Sequence, residues 1–264
     1  MNRQERKAEI FRALHADEAF VMPNPWDAGS ARVLEALGFK ALATTSSGFA
    51  FTLGRLDGQA TLDEVVEHTA VLDRATDVPV SVDLENGYAA DPDTAAHAIA
   101  RVAEVGAVGC SLEDYDPGGF IYELDRAVER ISAAVQIARG LGFPFTFTAR
   151  AENHIRGNPD LDDTIGRLQA FERAGADVVY APGLRTSEEI RAVCDAVSVP
   201  VNVLALPGLT IAEIVEAGAG RVSVGGGFTW VAVSAMVDAA KTLRDSGELT
   251  SLSARVPLEA WFGG

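Results

Sequence analysis

At 264 residues, with 48% hydrophobic and 23% charged residues, the chain has the make-up of one large globular α/β domain over residues 1–264. No window reaches the roughly 18 to 20 consecutive apolar residues of a membrane span, and the N-terminal MNRQERKAEIFRALH carries charges on a helical period in place of a signal peptide's apolar core, so a cytoplasmic protein is expected. The formal net charge of −16 argues against nucleic acid and anionic membranes as partners, because both are held by stripes of Lys and Arg, and it obliges any anionic substrate to find a local cation.

A short helix over 3–15 comes first, then apolar runs bounded by turn residues predict strands near 19–22, 40–44, 79–83, 107–112, 143–148, 176–180, 199–204 and 220–224. Helical patterns fall between and after them, near 27–37, 61–76, 91–104, 121–140, 160–174, 186–197, 210–217 and 229–246, several announced by N-cap signals such as Thr61 with Glu64 three residues on. At the helix-to-strand junctions ALGFKAL, EVGAVGC, RAGADVV and EAGAGRV, residues Gly38, Gly106, Gly175 and Gly218 suit the left-handed position that ends a helix. A βα unit repeated eight times predicts a (β/α)8 TIM-type barrel with a short N-terminal helix. The first strand is followed by PNPWDAGS and not by a glycine-rich dinucleotide turn, which disfavours an open doubly wound sheet. Cys110, in a predicted strand, and Cys194, in a predicted helix, have neither metal-ligand nor disulfide spacing and read as small core residues.

In such a barrel the polar residues at the C-terminal strand ends are the first functional candidates. The third strand ends in VDLENGY and the fourth in SLEDYD, which place Asp83 and Glu85 on one side of an extended backbone with Glu113 on a strand about 5 Å away. Three converging carboxylates would repel one another; a hard divalent cation relieves this, and Mg²⁺, with Mn²⁺ as its substitute, is the metal that such oxygens select. The same acids could instead cap helices or pair with Arg150, which ends the fifth strand and could equally clamp a ligand carboxylate through its planar fork. Ser46, Ser47 and Gly48 offer hydroxyls and backbone N–H groups for a carboxylate, or form an ordinary turn. VGGGF at 224–228 follows the eighth strand, where many barrels hold phosphate. Of the histidines, His15, His68 and His97 read as surface or helix-packing residues, and His154, beside Arg150, is the candidate for proton transfer.

With these residues in view, the chain resembles the isocitrate lyase/phosphoenolpyruvate mutase superfamily over nearly its whole length. The likeness is carried by NPWDAGSARVLEALGFKALATTSSGFA, GRLDG, VDLENGY, SLEDYD, TARAEN and VNVLA. It implies that Ser46, Ser47 and Gly48 bind the substrate carboxylate, that Asp57 lies near metal and substrate, that Asp83 is a metal ligand with Glu85 where well-known members carry a second Asp, and that Glu113, Arg150 and Asn202 complete the site. It further implies a homodimer or homotetramer in which the helix at 229–246 exchanges between subunits.

The departures are equally specific. Lyases of the superfamily carry a Lys-Arg-Cys-Gly-His type loop after the fourth strand and the phosphonate mutases place Lys and Asn-Ser there, whereas this chain reads YDPGGFIYELDRA; after the sixth strand, where lyases tend to have Glu, it reads YAPGL. The resemblance therefore implies a Mg-dependent lyase or mutase-like enzyme that breaks a carbon–carbon or carbon–phosphorus bond in a small 2-oxo or 2-hydroxy acid through a metal-stabilised enolate. Tyr115, Tyr122 and His154 are the groups available to move a proton. A decarboxylase or hydrolase of an oxaloacetate-like or phosphonopyruvate-like acid, and a non-catalytic 2-oxo-acid-binding barrel, are the alternatives.

Overall fold

The computed structural model describes residues 1–253 and 255–262. Eight parallel strands form the barrel: β1 (Phe20–Met22), β2 (Leu42–Ala43), β3 (Val80–Asp83), β4 (Gly109–Glu113), β5 (Thr146–Arg150), β6 (Val178–Tyr180), β7 (Val201–Leu204) and β8 (Arg221–Ser223). They pair in the order β1-β8-β7-β6-β5-β4-β3-β2, with Glu113 opposite Arg150 and Asn202 opposite Arg221. The seam between β1 and β2 carries no strand ladder; it is bridged by the Ala43 amide donating to the Pro23 carbonyl at 3.1 Å.

Period-two alternation sorts the strand residues. Val82, Leu112, Phe147, Ala149, Val179, Val203 and Val222 belong to one buried apolar cluster with Ile99, Val102, Ile131, Leu168 and Phe171 of the surrounding helices. Truncating the fully buried Phe147 to Ala would cost about 3–5 kcal/mol. The intervening residues, Ser81, Asp83, Ser111, Arg150, Asn202, Arg221 and Ser223, line the inside of the barrel. The helix-ending glycines adopt the expected left-handed conformation, with φ of 91° at Gly38 and 103° at Gly175.

The N-terminal helix Arg3–Leu14 lies under the barrel, its Phe11 in contact range of the position where a Cβ on Gly109 would sit, 2.7 Å from the ring. Two segments differ from the sequence expectation. Residues read as a Ser/Gly loop after β2 form the helix Ser46–Thr52, capped by Thr45, and the start of the helix expected from 121 is an antiparallel hairpin, Tyr115–Asp116 with Phe120–Ile121, before the helix Leu124–Gly140. Both are short excursions whose period is too brief for a pattern to register. Among the described residues no helix is long and apolar enough to cross a membrane. The helix Gly227–Ser246 buries only Thr229.

Candidate active site

A cavity of about 220 Å³ opens at the C-terminal strand ends, reached by Ser46, Ser47, Asp57, Asp83, Arg150 and Asn202 among the residues expected there, and by Asn24, Tyr180 and Arg221, which were not. Glu85, Glu113, Tyr115 and His154 stand around it without lining it.

The extended alternation that put Asp83 and Glu85 on one side breaks down at Glu85, whose φ of 48° lies in the left-handed region. Its carboxylate turns to accept a 3.0 Å hydrogen bond from the Tyr88 hydroxyl. Burial, with Asp83 and Asp57 nearby, pushes its pKa up to about 7. Asp83 accepts from the Ser111 hydroxyl at 3.3 Å and lies 3.7 Å from Arg150 Nη1. Glu113 approaches the same nitrogen at 3.4 Å and Arg156 at 3.8 Å. Asp83, Glu85 and Glu113 stand at neighbouring strand ends without closing into one cluster: among the described residues no group of three or more His, Cys, Asp or Glu side chains is drawn together as a ready-made metal cage. Two of the acids, Asp83 and Glu113, instead share one guanidinium nitrogen.

Arg150 is gripped from behind as well. Its Nε donates to Glu152, a fully buried carboxylate that also accepts from Arg156 Nε at 2.8 Å, and its guanidinium lies 5.2 Å from the Tyr180 ring centroid. Burial works against its charge, but Glu113 and Glu152 more than offset that and hold its pKa above the usual arginine range. Burial pushes the Glu113 carboxyl upward against the pull of Arg150, helped by Glu152 and Asp83. Asp114, next along the chain, serves the frame: it accepts from the Glu152 amide at 2.8 Å and from Arg167 at 3.1 Å.

Ser47 Oγ lies 3.2 Å from Thr45 Oγ1, and Gly48 allows a close approach, since a Cβ there would sit 2.6 Å from Thr229 Oγ1 and from Thr45 Cγ2. Two amides of the VGGGF loop are already engaged: Val224 and Gly225 donate to Asn24 Oδ1 at 3.0 and 2.9 Å, while Asn24 Nδ2 donates to the Thr44 carbonyl. This side chain ties the ends of β1, β2 and β8, and nothing in NPWD announced it beyond an Asn at a strand end. Tyr115 has the Arg156 guanidinium 3.8 Å above its ring, and His154 Nδ1 is buried with no partner. Tyr122 donates to Asp116 at 2.5 Å and lies under Arg130. That buried arginine, also unforeseen, donates to the carbonyls of Asn86, Ala89 and Ala90 and so holds the loop after β3.

The acids and hydroxyls are hard oxygen donors, and Mg²⁺ needs only one or two direct carboxylates beside its waters. Asp83 on the cavity wall, with Glu85 and Glu113 both pushed toward protonation by burial and by their neighbouring carboxylates, fits such an ion in donor type and in electrostatics.

A family model described as phosphoenolpyruvate phosphomutase matches residues 11–244. A solved structure from Burkholderia cenocepacia J2315, of a protein named only to the level of lyase or mutase, is 48% identical with a TM-score of 0.97, over 100% of this chain and 98% of that one. The oxaloacetate decarboxylase of Paraburkholderia xenovorans is 30% identical over 212 residues, 76% of this chain and 69% of that protein. A structure of 2,3-dimethylmalate lyase, a member of the PEP mutase/isocitrate lyase superfamily, is 26% identical with a TM-score of 0.86, over 97% and 93% of the two chains.

Proposed function

The chain belongs to the phosphoenolpyruvate phosphomutase/isocitrate lyase superfamily of lyases and mutases, and from that premise we propose that it cleaves a carbon–carbon or carbon–phosphorus bond in a small 2-oxo or 2-hydroxy carboxylic acid. The observation that carries this reading is Arg150, a largely buried guanidinium at the wall of a small cavity, flanked by Asp83 and Glu113. Asp83, Glu85 and Glu113 would hold Mg²⁺. The ion, when bound, supplies Lewis-acid neutralisation of charge on the ligand's carbonyl and carboxylate oxygens.

The chain's own residues do the rest. Asp83 and Glu113 keep Arg150 aimed across the cavity, and Glu152 fixes its rear nitrogen, leaving the front of the fork for a ligand carboxylate or phosphonate. Ser46 and Ser47 on the cavity wall would bind the carboxylate, with Gly48 buried behind them and Asp57 and Asn202 lining the same cavity. Burial raises the Tyr180 hydroxyl to about 12, so it stays protonated and serves as a neutral donor where negative charge develops. Tyr115, Tyr122 and His154 are the proton carriers proposed from the sequence; none of them lines the cavity, so each would act on a ligand only after the mouth rearranges. A second reading, decarboxylation of an oxaloacetate-like acid, is favoured by the similarity to the Paraburkholderia enzyme. The poorly packed helix Gly227–Ser246 supports assembly as a homodimer or homotetramer.

Incubation with oxaloacetate, phosphonopyruvate and 2-methylisocitrate, with and without Mg²⁺, tests the reading. Metal-dependent loss of one of them is expected. Release of CO₂ from oxaloacetate as the sole reaction would select the decarboxylase, and tight oxalate binding with no turnover of any of the three would overturn cleavage.

A further inference from the structure

Arg221 opens β8 with its side chain inside the barrel, 2% exposed, at the inner end of the cavity. Its three hydrogen-bond partners are all neutral: Asn202 Oδ1 at 2.8 Å, Thr148 Oγ1 at 2.9 Å and His15 Nε2 at 3.1 Å. His15 is held in the accepting tautomer because its Nδ1 lies 2.7 Å from the Phe11 carbonyl, and burial together with Arg221 lowers its pKa to about 3. Among the described residues no carboxylate pairs with Arg221, whereas the buried or nearly buried cations Lys7, Arg150 and Arg167 each have one. Arg130 also lacks an ion pair, but it is stacked on Tyr122, bonded to three carbonyls, and does not reach the cavity.

A buried cation without a counter-charge is unfavourable unless something else supplies the charge. Arg221 lines the cavity at the strand ends, which is open to a ligand. The bond from its Nε also fixes the Asn202 amide, so that Nδ2 donates to Ser223 Oγ at 3.0 Å and the second N–H of that amide remains for another acceptor. We propose that Arg221, with Asn202 and Ser223, makes the inner end of the cavity an oxyanion subsite, in which Arg221 supplies the counter-charge and positions Asn202. The ligand chemistry is a carboxylate or a similar oxyanion. This rests on reading the cavity as a small-acid site, and it narrows that class to acids carrying a second negative group.

Oxalate and oxamate share one skeleton but differ by one carboxylate against a neutral amide, so their affinity ratio reads charge recognition and is blind to a general loosening of the fold. Calorimetric titration of the wild type, Arg221→Met and Arg221→Lys with oxalate, oxamate and inorganic phosphate, in Mg²⁺ and in EDTA, is the experiment. The preference for oxalate is expected to fall at least tenfold in Arg221→Met and to be largely kept in Arg221→Lys. Phosphate that competes with oxalate identifies a subsite open to free oxyanions; phosphate that does not compete identifies one reserved for the ligand's own carboxylate. An unchanged preference in Arg221→Met, or a wild type that binds none of the three anions, overturns the subsite. Should Arg221→Met not fold, Asn202→Asp supplies the missing charge from within: a melting temperature above the wild type and oxalate affinity at least tenfold weaker are expected, and unchanged oxalate affinity overturns the proposal. Turnover of a small acid with an Arg221-independent preference removes the subsite alone, while an Arg221-dependent preference without turnover removes the proposed cleavage alone.

Discussion

Arg150 answers to two masters, since Glu152 holds its Nε and the cavity lies before its Nη atoms. Arg150→Lys keeps the charge and loses the planar fork, so oxalate binding is expected to weaken by about 1.5–3 kcal/mol while Mg²⁺ affinity changes much less; paired titrations of oxalate and Mg²⁺ check this, and intact oxalate binding would place Arg150 in the framework only. Asp83→Ala is expected to abolish Mg²⁺ binding and Glu113→Ala to weaken it severely with the fold retained, as measured by Mg²⁺ or Mn²⁺ titration beside a melting curve. Glu85 gives a pH signature in metal-free buffer. Its folded pKa of about 7 exceeds the ordinary glutamate value, so between about pH 4.5 and 7 the folded state binds more protons than the unfolded one and stability falls as pH rises. Glu85→Gln keeps an acceptor for Tyr88 and removes that loss. Its advantage over the wild type should be absent near pH 4 and reach on the order of 1–2 kcal/mol at pH 8, after allowance for partial solvent screening; urea denaturation at the two pH values reads it, and an equal difference at both would show that the carboxylate is not strained by its setting.

The loop from Leu84 to Ala90 shows why some of the site was legible and some was not. The strand and its terminal Asp83 were readable because they are local: apolar alternation and a residue type at a fixed offset. The left-handed turn at Glu85 and Tyr88 was hidden, because positive φ at a non-glycine residue is imposed by tertiary contacts. Those contacts come from Arg130, on a helix some 40 residues away in sequence, whose guanidinium collects three carbonyls of the loop. Arg221 was hidden likewise, since a lone arginine opening an apolar run looks like a solvated strand end. The eight strands, the interleaved helices and the wall residues Ser46, Ser47, Asp57, Asp83, Arg150 and Asn202 could be read from pattern and resemblance; the clamps that orient them depend on pairs far apart in the chain. Arg130→Met should therefore loosen the loop as a unit, lowering stability by on the order of 2–4 kcal/mol and weakening Mg²⁺ affinity in parallel. Chemical denaturation and metal titration of that variant check it, and a stability loss with wild-type metal affinity would uncouple the loop from the ion.

At the scale of the molecule, the helix Gly227–Ser246 presents Trp230, Val231, Met236, Val237 and Leu243 to solvent in the isolated chain, Val231 at 68% exposure. So much apolar surface on one helix suits a subunit interface, and the double substitution Val231→Asp with Met236→Asp is expected to shift the protein from dimer or tetramer to monomer by light scattering. The helix begins at the same VGGGF loop that Asn24 fastens to β1 and β2, so the proposed interface helix and the cavity meet at one side chain. The barrel wall is unzipped between β1 and β2, and Asn24 is the button beside the single Ala43-to-Pro23 stitch: its side-chain amide spans a gap where no ladder runs. Amide hydrogen exchange at Ala43, Val224 and Gly225 should consequently rise and fall together, quenched by whatever fills the cavity, so that a mass spectrometer could watch the enzyme find its ligand before any product has been identified.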